Sequence, residues 1–408
     1  MTNDNRPMKV YLDNSATTAV APEVIEAMLP FLSADFGNAQ SVHSFGQGAK
    51  AAVEKGRRQV ASLLNAAPAE IVFVSGGTEA DNLALRGICN AHMKYGRHII
   101  TTSIEHPAVL ATCEELERSG FRVTYLPISS RGLVNVNDLR AAIAADTILI
   151  SVMHANNETG TVQPIEKIAH VVASARAQGS RHLHFHTDAV QSTGKISIDV
   201  KRLGVDLLSL SGHKIHAPKG VGALFVRKGV RLARISFGGH QERDRRPGTE
   251  NVPGIVALGR AAEYASANSD SGPARMRELR DYLEQQIIAR CEGVQVNGDV
   301  ERRVPNISNL SFRGVDGESL LIALDLRGIA VSTGSACASG SLEPSHVLTA
   351  LGLSRQEVRG SLRFSLSVYT TRDEIDYAVS ALEETLERLR GMLPSEGPET
   401  RESVVSDL

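Results

Sequence analysis

Four cysteines in 408 residues, Cys89, Cys113, Cys291 and Cys337, are too few and too scattered for a disulfide framework. Charge is equally sparing. The 44 Lys and Arg against 46 Asp and Glu leave a formal net charge of -2, so no bulk field draws the chain to nucleic acid or to an anionic membrane. No apolar run approaches the ~18 residues that a membrane span requires. The opening MTNDNRPMKVYLDNSATT carries no apolar targeting segment. These absences predict a protein of a reducing cytoplasm, without a membrane partner or a direct nucleic-acid partner. HExxH, CxxC and EF-hand patterns are missing too, which leaves no metal expected. What remains is an ordinary globular composition, 42% apolar and 22% charged, long enough for two domains.

Short β-branched runs alternate with amphipathic segments through the first two-thirds of the chain. EIVFVSG (70–76) reads as a buried strand and is followed by a helix from about Thr78 to Met93. HIITTSIEH (98–106) reads as another strand, with Pro107 in the first turn of the next helix. RVTYLPI, TILISVM, HLHFHTDAV and VDLLSLS continue the series, with PIEKIAHVVASARAQG as a helix between two of them. The pattern predicts an α/β fold, a mostly parallel sheet sandwiched by helices. SANSDSGPAR (266–275) breaks it with small and turn-forming residues, and a second, smaller α+β domain follows. The expected division is 15–265 for the large domain and 1–14 plus 266–393 for the small one, with 394–408 a disordered tail.

Several strand ends carry reactive groups. In SGHKIHAPKGVGALFV (211–226), Lys214 directly follows an apolar strand, where an α/β protein has its ligand crevice. Partial desolvation there makes an amine usable for Schiff-base chemistry, although most lysines in turns, Lys219 among them, are simply solvated. In HFHTDAVQSTGK, Asp188 lies just past the strand HLHFH, with Gln191 three residues on. A carboxylate so placed suits the ring nitrogen of pyridoxal phosphate, which needs a proton there to accept electrons. The alternating His182, His184, His186 and Asp188 also admit a metal reading, or mere packing. SGGTEADN (75–82) offers backbone N–H groups and Thr78 to an anion, but is neither GxGxxG nor GxxxxGK. His106 in SIEHPAVL could stack on a ring, move protons or cap a helix. Asn157 in MHANNETG could reach a ring oxygen or serve only its own turn.

The order YLDNSATT, FGNAQSVHSFG, SGGTEADN, EHPAV, HANNETG, HTDAVQ, SGHKIHAPKGVG, GGHQERDRRPGTENV and GSACASG resembles the cysteine desulfurases. The closer likeness is to the NifS/IscS-like group of class V, fold type I enzymes, over residues 9–392. The resemblance implies pyridoxal 5'-phosphate as cofactor, L-cysteine as substrate, a homodimer, and a sulfur-acceptor protein serving iron–sulfur cluster assembly or tRNA or other thiolation. It implies Lys214 as the cofactor-bearing lysine, Asp188 on the ring nitrogen, Gln191 and Asn157 on the phenolic oxygen side, and His106 stacked on the ring. Gly77, Thr78, Ser211 and His213 would take the phosphate, with Thr249 reaching in from the other subunit. Arg363, helped by Asn38 and Asn157, would take the substrate carboxylate, a role that suits a planar guanidinium independently. Ala39 stands where the family usually has Pro, and HLHFHTD is slightly lengthened at its start.

Cys337 sits in STGSACASGS (332–341), ten residues with nothing bulky to pack. As a buried small hydrophobe it would have apolar neighbours, which fits Cys89 and Cys113 on their helical patterns instead. As a metal ligand it lacks partners. With the resemblance, it reads as the nucleophile that takes sulfur from the substrate as a persulfide, carried on a Ser/Gly/Ala loop that can enter a crowded site. Lys214, His106 and Cys337 are then the catalytic residues. An aminotransferase or β-lyase of the same fold, a selenocysteine lyase included, would need Lys214 but not Cys337. A cofactor-bearing scaffold that binds sulfur-acceptor proteins without turnover is disfavoured by the presence of Lys214, Asp188 and Cys337 together.

Overall fold

The computed structural model describes residues 8–333 and 344–392. Its strands are β1 (Val10–Tyr11), β2 (Ile71–Val74), β3 (His98–Thr102), β4 (Arg122–Leu126), β5 (Thr147–Ser151), β6 (His184–Asp188), β7 (Leu207–Ser211), β8 (Gly222–Val226), β9 (Val294–Val296), β10 (Ile307–Phe312), β11 (Ile329–Ala330) and β12 (Ser361–Ser365). Seven of them form the large sheet in the order β2-β8-β7-β6-β5-β3-β4. All its pairings are parallel except those of β8, which runs against both β2 and β7. The C-terminal ends of β2, β3, β5, β6 and β7 therefore open on one edge.

Burial on both faces explains why these strands read as continuous apolar runs. Every residue of β2, β3, β5, β7 and β8 is buried, and each leucine so buried in β7 stabilises the fold by roughly 1.5–3 kcal/mol. One helix pair, Ser44–Leu63 and Val252–Ala267, approaches closely at Gly56 and Gly259. A Cβ on Gly259 would lie 2.6 Å from Gly56 Cα, so neither glycine can grow.

The smaller sheet is antiparallel, in the order β12-β10-β9. Its core joins Leu310, Phe312, Leu362 and Phe364 to Leu283 and Ile287 of the helix Ser271–Arg290, and to Ile375 and Leu382 of the helix Arg372–Gly391. Val10 and Leu12 pack into the same cluster, and β1 pairs with β11.

Segment 266–275, read from sequence as a break, is mostly helical. One helix ends at Ala267 and the next begins at Ser271, leaving only three residues between them. Gly272 and Pro273 fall in the first helical turn, where a proline costs no intrahelical hydrogen bond. The strands HIITTSIEH and HLHFHTDAV are shorter than their apolar runs. β3 stops at Thr102 and β6 at Asp188, and the residues beyond turn onto the sheet edge.

Candidate active site

A cavity of about 380 Å³ opens at that edge. Its wall includes Gly77, Thr78, His106, Asn157, Asp188, Gln191, Ser211, His213, Lys214 and Arg363, together with Ser15, Ala16 and Asp81.

Lys214 is delivered by a tight turn. β7 ends at Ser211, Gly212–Lys214 forms one turn of 3₁₀ helix, and His216 takes a left-handed φ of 67°. That strained residue is held by its N–H donating to Thr18 Oγ1 and by its ring Nδ1 contacting Ala19 O at 2.9 Å. The segment Ser15–Thr18 wraps beneath the turn. Thr18 donates to the His213 carbonyl from both N and Oγ1, and Lys214 Nζ donates to the carbonyls of Ser15 (2.6 Å) and Ala16 (2.7 Å). This gives the YLDNSATT motif a physical task, holding the amine over the cavity.

Asp188 closes β6. Its Oδ1 accepts from Val190 N at 2.9 Å, and burial pushes its carboxyl up to about 6 despite that bond and Lys214. Glu105, buried under β3 and β5, accepts from Thr102 Oγ1 and Met153 N and is pushed up to about 8 by burial. Asp81 is driven above the usual carboxylate range by burial and by the charge of Asp188. Asp81 Oδ1 accepts no hydrogen bond among the described residues, although His186 Nε2 lies 3.6 Å from it.

His106 serves as a helix cap, one of its sequence readings. It caps the helix Pro107–Arg118, with Nδ1 accepting from Ala108 N at 3.1 Å, and it lines the cavity. An accepting Nδ1 places the proton of the neutral ring on Nε2. Burial, then Lys214 and His346, lower its pKa to about 4, so the ring is neutral at physiological pH. His213 is lowered to about 4 in the same way, by burial and Lys214.

Also on the cavity wall, the helix Gly77–His92 starts with no side-chain cap, leaving its first N–H groups to the cavity. Gly77 is required there, since a Cβ would come 2.8 Å from Val190 Cγ2.

Opposite, Arg363 is buried with Nη2 donating to Asp13 Oδ1 (2.7 Å) and Nη1 to the Asn157 carbonyl (2.8 Å). Its Nε, also buried, has no partner among the described residues. A guanidinium fixed on two sides keeps the geometry to pair with a carboxylate.

Two predicted residues stand apart. Asn38 is exposed, its side chain accepting from Gln40 N, and Thr249 is exposed; neither lines this cavity. Cys337 lies outside the described residues. The chain before it is tied by backbone bonds between Ser332 and Arg363. The chain after it is tied by Ser345 Oγ to Glu158 and by His346 Nε2, 3.0 Å from the Glu105 carbonyl. Cys89 and Cys113 are core residues, and burial raises the Cys113 thiol to about 12. The histidines before Asp188 pack. His182 stacks on Tyr95 at 3.4 Å, His184 meets His92 at 4.3 Å, and His186 sits between Ser151 and Ser209.

Asp13, Asp81, Glu105 and Lys195 were given no role by sequence reasoning, though each lies in or beside a quoted motif. For Asp81 the signal was there, since it falls one helical turn after Gly77 and shares its face. Asp13 had none, because its partner is 350 residues away.

The donors fit pyridoxal 5'-phosphate. A lysine amine, a buried carboxylate seeking a positive partner, and an open helix N-terminus face one cavity at the sheet edge, and together they define a fold type I pyridoxal-phosphate enzyme. The class-V aminotransferase family matches residues 10–378. A cysteine desulfurase of Nostoc sp. is 50% identical over 390 residues, 96% of each chain. The cysteine desulfurase IscS of Dictyoglomus turgidum is 47% identical over 95% of this chain and 96% of its own. Among solved structures, a NifS-like protein superposes with a TM-score of 0.88 at 40% identity, covering 94% of this chain and 100% of its own. SspA in complex with cysteine gives 0.78 at 38%, covering 89% and 100%. The chain belongs to the class-V aminotransferase family and, within it, to the cysteine desulfurases.

Proposed function

We propose that this pyridoxal-phosphate-dependent cysteine desulfurase moves sulfur from L-cysteine to the thiol of Cys337, with Lys214, His106 and Arg363 serving the reaction. The observation that carries this reading is the placement of the Lys214 amine, the Asp188 carboxylate and the part-satisfied Arg363 guanidinium around one cavity.

Asp188 would hold the cofactor's ring nitrogen, Gly77, Thr78, Ser211 and His213 its phosphate, and Asn157 and Gln191 its phenolic oxygen, with His106 against the ring. Bound there, the cofactor supplies an electron sink for charge developing beside the substrate amine. Arg363 takes the substrate carboxylate and fixes the orientation of Cα. Lys214, released from the Ser15 and Ala16 carbonyls, removes the Cα proton and returns one at the neighbouring carbon. His106, neutral with its proton on Nε2, can supply the proton taken by the substrate carbon that keeps the C–S bonding pair, without adding a positive charge beside Lys214. The Cys337 thiolate attacks the substrate sulfur; an S–S bond forms as the C–S bond breaks. The balance is L-cysteine plus thiol giving L-alanine plus persulfide, with no external oxidant or reductant.

The unit of residues 15–265 holds the cofactor, and 1–14 plus 266–393 brings Arg363 and Cys337. A homodimer is supported by the exposed apolar Phe36, Val42 and Phe45 close to Asn38, and by Phe237 ahead of Thr249. The same association would carry Thr249 to the partner's phosphate and cover Asn38. Among the described residues no helix is long and apolar enough to cross a membrane, which accords with a cytoplasmic enzyme passing sulfur to an iron–sulfur scaffold or a thiolation protein.

Peptide mass spectrometry after incubating the loaded enzyme with L-cysteine, without reductant, tests the reading. One added sulfur atom on the Cys337 peptide with alanine released is the expected result. Cys337→Ala abolishes both persulfide and turnover. Undiminished turnover in that variant would move the protein to the lyase or transaminase reading.

A further inference from the structure

Lys195 is a buried basic residue that the reaction above does not use. It sits at the end of the turn following β6, and its Nζ donates to Gln191 Oε1 at 3.2 Å. No carboxylate pairs with it among the described residues, and the charges that act on it, Lys214 and Arg363, are both positive. With burial they lower its pKa to about 7. The rings of His213 and His216 that also feel it are themselves depressed by burial and contribute little charge. So costly a placement calls for a return elsewhere.

The return lies in the amide of Gln191. A side-chain amide can be turned either way, and only its neighbours fix it. Here both neighbours demand one orientation. Lys195 offers donors, so Oε1 faces it. The Ser15 carbonyl only accepts, so Nε2 faces Ser15, at 3.0 Å. Ser15 and Gln191 line the cofactor cavity, whereas Lys195 stands behind the wall, against a separate cavity of about 210 Å³. The Ser15 carbonyl is also the one that receives Lys214 Nζ.

We propose that Lys195 is a positioning residue, which locks the Gln191 amide with its donor edge on the cofactor side and, through the shared Ser15 carbonyl, fixes the resting place of the Lys214 amine. This rests on the reading of Gln191 as a contact of the phenolic oxygen. A donor at that oxygen favours its ionised form. Losing the lock therefore moves the titration midpoint of the loaded enzyme's visible band upward and weakens cofactor retention about fivefold, the effect of one neutral hydrogen bond.

The test is a double-mutant cycle on cofactor-loaded enzyme, read by pH titration of the visible band and by cofactor loss on dialysis. Lys195→Met and Gln191→Ala are each expected to raise the midpoint, and the double variant to match Gln191→Ala alone. Lys195→Arg, with the adjoining cavity to receive its longer side chain, is expected to restore the wild-type band. A wild-type midpoint in Lys195→Met beside a shifted one in Gln191→Ala would overturn the inference. So would additive shifts, or no rescue by arginine. A wild-type midpoint in Gln191→Ala would instead remove the assignment of Gln191 itself, and the inference with it.

Discussion

The floor of the cavity and its Arg363 wall are built in opposite ways. The floor is assembled from the ends of neighbouring strands in one sheet, so each functional group sits within a few residues of the strand that places it. Asp188 closes β6, Lys214 comes three residues after β7, and Gly77 three after β2. The wall is assembled across the chain. Arg363 on β12 is aimed by Asp13 from the N-terminal segment and by the Asn157 carbonyl from the turn after β5. The floor's groups are thus placed by the strands they follow, and burial dominates there, pushing the carboxyls up. The wall is fixed by long-range hydrogen bonds to one guanidinium.

The sharpest way to break this contrast is Asp188→Asn. Removing the charge opposite the ring nitrogen is expected to lower kcat about 10²–10³-fold, as the loss of a fixed electrostatic contact does. Stability should move the other way in the cofactor-free protein. Folded Asp188 is pushed up to about 6, above the ~3.9 of an exposed aspartate. Between those values the folded state holds a proton that the unfolded chain has released, so stability falls as pH rises from ~4 to about 6 and stays lower above. The neutral amide of the Asp188→Asn variant carries no such penalty, so thermal melts should show the variant's Tm raised at pH 8 and raised about half as much at pH 5. Equal gains at both pH values would show that burial of the charge is not what the floor costs.

On the wall, Arg363→Lys should act on binding rather than on the chemical step. A lysine keeps the charge but cannot hold Asp13, the Asn157 carbonyl and a carboxylate at once. The expected rise in KM for L-cysteine is roughly 10–100-fold, the loss of a charged bidentate contact, with kcat changed far less. A fall confined to kcat would place Arg363 among the proton-handling groups instead.

The same contrast explains what could be read in advance. The strand-and-helix alternation gave the large sheet, because strands buried on both faces announce themselves as apolar runs. The residues that end those runs are the floor, which is why Lys214, Asp188, His106 and Asn157 stood out without any contact map. Three things stayed hidden for physical reasons. Asp13 and Ser15 act through partners some 200 to 350 residues distant, so no spacing rule reaches them. Asp81 and Lys195 look like surface charges until burial is known. Ser271 starts its helix inside a run of turn-forming residues because packing of Leu279, Leu283 and Ile287 outweighs the weak propensities of the first turn. Asn38 and Thr249 were drawn from the resemblance alone, and in a single chain both face solvent.

The smallest expected effect is the most discriminating, because it separates aim from charge at Asp13. Its carboxylate is partly exposed, yet Oδ1 is the atom that Arg363 Nη2 reaches at 2.7 Å. Asp13→Asn keeps a carbonyl oxygen at that place and deletes the charge; Asp13→Ala deletes both. If the wall depends on aim, Asn should change KM less than about threefold, while Ala, leaving a buried guanidinium short of a partner, should raise KM more and lower Tm as well. If the wall depends on the carboxylate's charge, the two variants should behave alike. Steady-state kinetics beside thermal melts of both variants decides between them. Aim is the expected answer, because the Asn157 carbonyl already holds the guanidinium from its other side without any charge.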